Sequence, residues 1–409
     1  MVKIYLKNAR GIEAQYLLDL RIGLSIRIQA LNSALSHLSG VAINSSSSGY
    51  EIARGFAQKM INYVEGKELY LTADYSLVSY QATIAKYLGG TNLFTSQNFA
   101  GVSKLLNVLL ANGESELADL LICQPSMLEV KNATLGWGAF NSFEIFLIKL
   151  IFKTENQQTY WDTIREFFKN YVPIYFCPYC NYDSVEHIKS ISGSAYTSAL
   201  DHFHSQTDFP LLCYSFYNLI PSDTNCNSFK KHTKKFSTKY HLHPYLFDYG
   251  QHANFKATYL PPFTQVMDIE LIVNASVGTE MYGKMMGDVH SYTPGHKNGN
   301  INVFKINELY KGRDFKKNAK QTLDALRDMS SNLNTLKKLM GIFVLSEYRR
   351  KKAYQSWYSD KIQSSFSKTE FCNDRFSKLK RDLHDNHVSK LPIIKSYIGN
   401  LINEDNELD

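Results

Sequence analysis

Cysteine is scarce in this chain: six in 409 residues, too few for a disulfide scaffold. Two of the six stand as Cys177-x-x-Cys180, a spacing that favours metal binding in a reducing compartment. Long apolar runs are missing too. The most apolar stretch, Phe143 to Phe152, is short and broken by Glu144 and Lys149, so it reads as a buried helix rather than a membrane span. The start, Met1 to Gly11, has no uninterrupted apolar segment after its charged residues, which argues against a signal peptide. A cytoplasmic protein without a membrane partner is therefore expected. Internal repeats, low-complexity tracts and an HExxH pair are also absent, and the last absence leaves little room for a zinc hydrolase of small molecules.

What is present suits a folded chain of two or three domains: 44% of residues are hydrophobic and 13% aromatic. The net charge of +7 is modest, but it is unevenly spread. Between Lys311 and Lys352 stand twelve Lys or Arg against four acids, an excess of eight, and Asn227 to His241 holds five lysines and no acid. Basic stretches of this kind form an electrostatic footprint for nucleic acid, although any one lysine is more often a solvated surface group.

The pattern implies an α+β chain in three parts. Residues 1–170 read as mainly helical, a docking region whose function the sequence leaves open. Ile52, Phe56, Met60, Ile61 and Val64 recur at helical spacing, as do Leu105, Leu106, Leu109 and Leu110, and Phe143, Phe146, Leu147, Leu150 and Ile151. Ser45 to Gly49 and Gly89-Gly90 punctuate this part as loops. Residues 171–250 are dense in aromatics, Cys, His and Asn and lose helical periodicity, as a small metal-stapled unit with short strands does. Residues 251–409 are expected to be mainly helical and basic after a strand-like piece at Glu270 to Ala275, with Asn298-Gly299 positioned to close a hairpin and an acidic tail at the end.

Four short motifs fall in order within the middle part: CPYC (Cys177 to Cys180), LDHFHS (Leu200 to Ser205), YNLIP (Tyr217 to Pro221) and CNSFKK (Cys226 to Lys231). Cys177 and Cys180 suit two ligands of a structural zinc, and Cys226 suits a third. Asp223, His187 or His232 is open as the fourth. Cys123, Cys213 and Cys372 sit among apolar neighbours and read as ordinary buried thiols. Cutting a phosphodiester needs an activated water, charge neutralisation and help for the leaving oxygen. A neutral His suits the first task, and a hard divalent cation on a carboxylate and an amide oxygen suits the others. Asp201, His202 and Asn227 provide those groups, with His204 as a rival base and Lys230 and Lys231 placed for phosphate.

The ordered set resembles the HNH (ββα-metal) endonuclease family over about 75 residues. The resemblance implies a small zinc-stapled ββα core between helical flanks, with His202 as general base. It makes Asp201 and Asn227 the ligands of catalytic Mg2+ or Mn2+, and Asn218 a structural Asn that ties the loop and orients the histidine. Cys177, Cys180, Cys226 and Asp223 would hold structural Zn2+, Asp223 departing from the family's fourth cysteine. Phe209-Pro210 and His243-Pro244-Tyr245 extend the likeness to the Septu-type anti-phage subgroup, which implies DNA as substrate and an ATPase partner subunit. The rival reading is a non-catalytic zinc-knuckle module that binds nucleic acid or a protein.

Overall fold

The structure is a computed structural model of the chain. It describes residues 1–38, 46, 49–64, 99–152, 158–172, 174–185, 199–250, 252–260, 265–287, 298–331 and 347–391. The described residues form helices and two small two-stranded sheets, and so are mixed α and β. The chain divides into two units rather than three. One comprises Asn8–Thr163 with His204–Leu219; the other comprises Met1–Lys7, Ile164–Phe203 and Ile220–Asp409.

The first unit is helical. Its α1 (Ala9–Leu38) buries Tyr16, Leu20, Leu24, Ile28, Leu31 and Leu35, three to four residues apart and hence on one face. That face packs on α2 (Tyr50–Val64), α3 (Ala100–Leu110), α4 (Ser115–Leu121) and α6 (Ser142–Phe152), with α5 (Leu128–Thr134) completing the unit. The stripes expected from spacing thus lie within helices. Tyr16 donates from its hydroxyl to the Tyr214 carbonyl at 2.8 Å and Ser215 donates to the Leu120 carbonyl at 2.7 Å, which docks the 204–219 segment.

Glu144, the charge that interrupts the apolar run, is buried with a defined task. One carboxylate oxygen accepts from the Gly101 and Val102 N–H groups at 2.7 and 3.2 Å, so Glu144 caps the start of α3. The other accepts from Asn141 N–H at 3.0 Å, and Asn141 Oδ1 accepts from Glu144 N–H at 2.9 Å. A Cβ at Gly101 would stand 2.7 Å from Glu144 Oε1, so the approach needs glycine. The orphan donors of a helix start are satisfied by a carboxylate, which also complements the helix dipole.

The second unit takes up α7 (Gln158–Tyr171) at Ile164 and continues to the knuckle, then to β1 (Ala199–His202) and β2 (Leu219–Ser222), which pair, and to a π-helix at Asn225–Lys231. An antiparallel hairpin, β3 (Ala253–Leu260) and β4 (Gln265–Val273), runs from Ala253↔Val273 to Leu260↔Gln265 with a bulge at Thr258/Tyr259. Four helices follow: α8 (Thr279–Met286), α9 (Asn300–Val303), α10 (Ile306–Tyr310) and α11 (Arg313–Ser331). Then come α12 (Glu347–Ile362) and α13 (Ser377–Val388). The strand expected at Glu270 to Ala275 is the end of β4, which begins five residues earlier. Asn298 and Gly299 close no hairpin; they lead into α9, whose N-cap is Gly299. Residues 294–297, the Gly89-Gly90 pair, part of the 45–49 loop and the acidic tail lie outside the described residues.

Replacing Glu144 by Ala strands the N–H groups of Gly101, Val102 and Asn141, the Val102 one buried. Urea unfolding of the helical unit is expected to lose about 2–3 kcal/mol, and a loss below about 0.5 kcal/mol would show that the cap is immaterial.

Candidate metal and catalytic site

The knuckle is a tight turn. Cys177 O accepts from Asn181 N–H at 2.7 Å, Cys177 N–H donates to Asp183 O at 2.9 Å, and Asn181 takes a positive φ of 52°. The turn directs Cys177 and Cys180 at Asp223 and Cys226, and all four side chains are buried with their ligand atoms within 4.8 Å of one another. Asp223 is shared: Oδ1 accepts from Cys226 N–H at 2.9 Å, at the start of the π-helix, while Oδ2 faces Cys180 Sγ at 3.8 Å. Of the rivals for the fourth position, His232 is exposed and bonded to Thr233, and His187 lies outside the described residues.

Three thiols and a carboxylate without a cation repel one another once ionised. Burial pushes the Cys177 and Cys226 thiols well above their ordinary range. Burial acts on Cys180 in the same sense, but hydrogen bonds from Cys177, Cys226 and the Asp183 and Tyr182 N–H groups outweigh it and hold that thiol well below its ordinary range. Burial, with the Cys180 and Asp223 charges, raises Asp183 to about 6. Three buried thiols and a carboxylate in mutual contact are the set on which a divalent cation replaces protons. A tetrahedral ion with bonds of about 2.3 Å draws its ligands to about 3.8 Å apart, so the cluster closes by about 1 Å at most. The donors fit a metal.

β1 places Asp201 and His202 on opposite faces, as strand geometry requires. Asp201 is 3% exposed, whereas His202 at the strand end is half-buried. The π-helix then lies on this strand. Its His232 N–H donates to Asn227 O at 2.8 Å, an i→i+5 bond. Such winding sets residues five apart nearly above one another, so Cys226 and Lys231 share the inward face. An α-helix would separate them by about 140°. Lys231 therefore turns in, and its ammonium donates to both Asp201 oxygens at 2.8 Å and to the His202 carbonyl. Tyr179, the tyrosine between the two knuckle cysteines, donates to Asp201 Oδ2 at 2.7 Å. Burial, the Asp201 charge and this bond hold the phenol well above its ordinary range, so it stays a donor. Burial pushes Lys231 down against the pull of Asp201.

Across protein-family models, curated proteins and solved structures, the chain matches none. The site is therefore read from its own groups, and several depart from expectation. Lys231 is not a surface cation for phosphate: it is 3% exposed and its three donors are spent. Lys230 sets its ammonium 3.9 Å from Cys226 Sγ, on the metal-donor cluster rather than in solvent. Asp201 and Asn227 do not fit a Mg2+ or Mn2+ seat as folded, since both oxygens of Asp201 are taken. Entry of such an ion requires the Lys231 ammonium to withdraw. Asn227 is half-buried on the π-helix. Asn218 belongs to the helical unit, where it accepts from His204 N–H at 2.7 Å and donates to the His204 and Leu212 carbonyls at 3.1 and 3.0 Å, closing the 204–218 loop. His204 is fully buried in that unit, tilted against Phe209 and 4.0 Å from Glu129, so water does not reach it as a base.

Sequence reasoning missed Tyr179 as a donor and Lys231 as an internal cation, because spacing does not report an inward lysine. Among the described residues, no helix is long and apolar enough to cross a membrane.

Lys231→Met leaves the Asp201 carboxylate buried without its counter-ion. Chemical denaturation is expected to show a loss of about 3–5 kcal/mol, recovered in part by adding Asp201→Asn. Unchanged stability in the single variant would mean that the pair does not form.

Proposed function

We propose that the chain is an HNH-type endonuclease that hydrolyses phosphodiester bonds of DNA around a structural Zn2+ held by Cys177, Cys180, Asp223 and Cys226. The observation that carries this reading is the Lys231 bridge. It lays the helix bearing Asn227 and Lys230 on the strand bearing Asp201 and His202, the strand-and-helix arrangement that the ordered motifs imply. Mixed thiolate and carboxylate donors in a closed, buried four-ligand set support zinc in a structural role. Membership of an anti-phage system with an ATPase partner is part of the proposal through the motif likeness alone.

In this reading His202 takes the proton from the attacking water. Its imidazole sits at the half-buried strand end, and Lys231 fixes its backbone carbonyl. Asp201 acts from beneath: its charge keeps the Lys231 ammonium in place. The exposed lysines of the following segment, Lys234, Lys235 and Lys239, supply attraction for phosphate that falls as salt rises.

A second reading has an observation in its favour. The saturated Asp201 carboxylate suits a metal-stapled module that binds nucleic acid without cutting it. One assay separates the two. In a plasmid-nicking experiment with added Mg2+ or Mn2+, His202→Ala is expected to lose about 10²–10⁴-fold in rate while its circular dichroism is unchanged. Equal rates in the variant would sink the nuclease assignment. Salt-sensitive binding with no cleavage by the wild type under any metal would favour the binding module.

A further inference from the structure

The arc between Cys226 and Lys231 is anchored at both ends and open in the middle. Cys226 is wholly buried in the metal cluster and Lys231 is buried on Asp201, yet Ser228 and Phe229 between them are exposed. Phe229 is 74% exposed, above Leu18, Ile22 and Tyr175 and the highest among the large hydrophobics of the described residues. A single exposed apolar residue is ordinary. The position of this one is not: only four residues separate the two fixed anchors, so the ring is presented on a short arc with little freedom to fold back.

The charge around the ring points to its ligand. From Thr224 to Tyr240 the chain holds Lys230, Lys231, Lys234, Lys235 and Lys239 and no acid. Lys231 is spent internally, but Lys234, Lys235 and Lys239 are exposed. Protein–protein interface cores are poor in lysine, whereas an exposed π-face in a lysine-rich, acid-free segment matches the chemistry of a base stacked on an aromatic ring while its phosphates meet ammonium groups. We propose that Phe229 is a stacking platform for an unpaired base, and that this face takes single-stranded nucleic acid or the unpaired stretch of a branched one. Magnitudes favour this over a duplex. Opening a stacked step costs about as much as one ring returns by stacking, so a lone phenylalanine gains little by wedging a duplex apart. The inference rests on the nucleic-acid part of the proposed function and adds its substrate class.

The test is binding of a short thymidine oligonucleotide carrying one 2-aminopurine, in the absence of added Mg2+ or Mn2+, across a salt series. Wild-type protein is expected to quench the fluorophore on binding. Phe229→Ala is expected to bind about 10-fold more weakly without the quench, and Phe229→Trp to retain both. The slope against salt should be the same in all three, because the lysines remain. Duplex of the same sequence should bind wild type and Phe229→Ala alike. Circular dichroism checks that the variants fold, as expected for an exposed position. Equal affinity and equal quench in Phe229→Ala overturns the proposal and leaves the nuclease reading intact. Failure of the wild type to bind the oligonucleotide, or binding of a protein ligand only, overturns it together with the nucleic-acid reading. Stacking lost in Phe229→Ala, with no cleavage by wild type under any metal, upholds the proposal and removes the nuclease reading.

Discussion

The turn from Cys177 to Asn181 is the constraint on which its unit depends, because the polar groups it does not use within itself are taken up by distant segments. Pro178 O accepts from Val2 N–H at 2.8 Å, and Cys180 O accepts from the Tyr310 hydroxyl at 2.9 Å. The Asn181 amide donates to the Phe371 and Asp374 carbonyls and accepts from Ser377, which ties the turn to α13. Its two sulfurs meet Asp223 and Cys226. Segments nearly 200 residues apart in the chain thus converge on five residues. Loss of this turn would release the N-terminal segment Met1–Lys7, α10, α13 and the π-helix together, and a metal bound by the cluster would make that loss costly.

From the same turn the chemistry propagates to the candidate catalytic strand. Tyr179, fixed between two ligands, reaches Asp201, and Cys226 begins the π-helix that ends on Lys231. Asp201 is consequently held by two donors whose positions follow from the metal cluster. A buried carboxylate with a buried ammonium is expensive to assemble and more so to break. The pair is thus weak evidence for stability and better evidence for a fixed strand-to-helix geometry. That geometry fixes the strand end at His202 and the arc that carries the exposed Phe229.

The sequence made the metal donors legible because ligand spacing is local. Cys177 and Cys180 are three apart, as are Asp223 and Cys226, and tight turns of that length pair their side chains. Helical stripes in α2, α3 and α6 were legible for the same reason. Three things were not. The inward turn of Lys231 comes from π winding, which leaves no signature in residue pattern. The use of His204–Leu219 by the helical unit is a long-range choice, made by contacts such as Tyr16 with Tyr214. Asn298-Gly299 has hairpin chemistry, but here Gly299 serves as a helix start, pressed so closely on Met285 that a Cβ would meet its carbonyl carbon at 2.4 Å.

The central claim is that the three thiols and Asp223 hold one metal ion that organises this unit. X-ray absorption at the zinc edge on the purified chain tests it most directly. The account predicts one zinc per chain with three sulfur neighbours at about 2.3 Å and one oxygen at about 2.0–2.2 Å, the oxygen being lost in Asp223→Ala. A chain that folds without stoichiometric metal, or a metal shell that Asp223→Ala leaves unaltered, would contradict it.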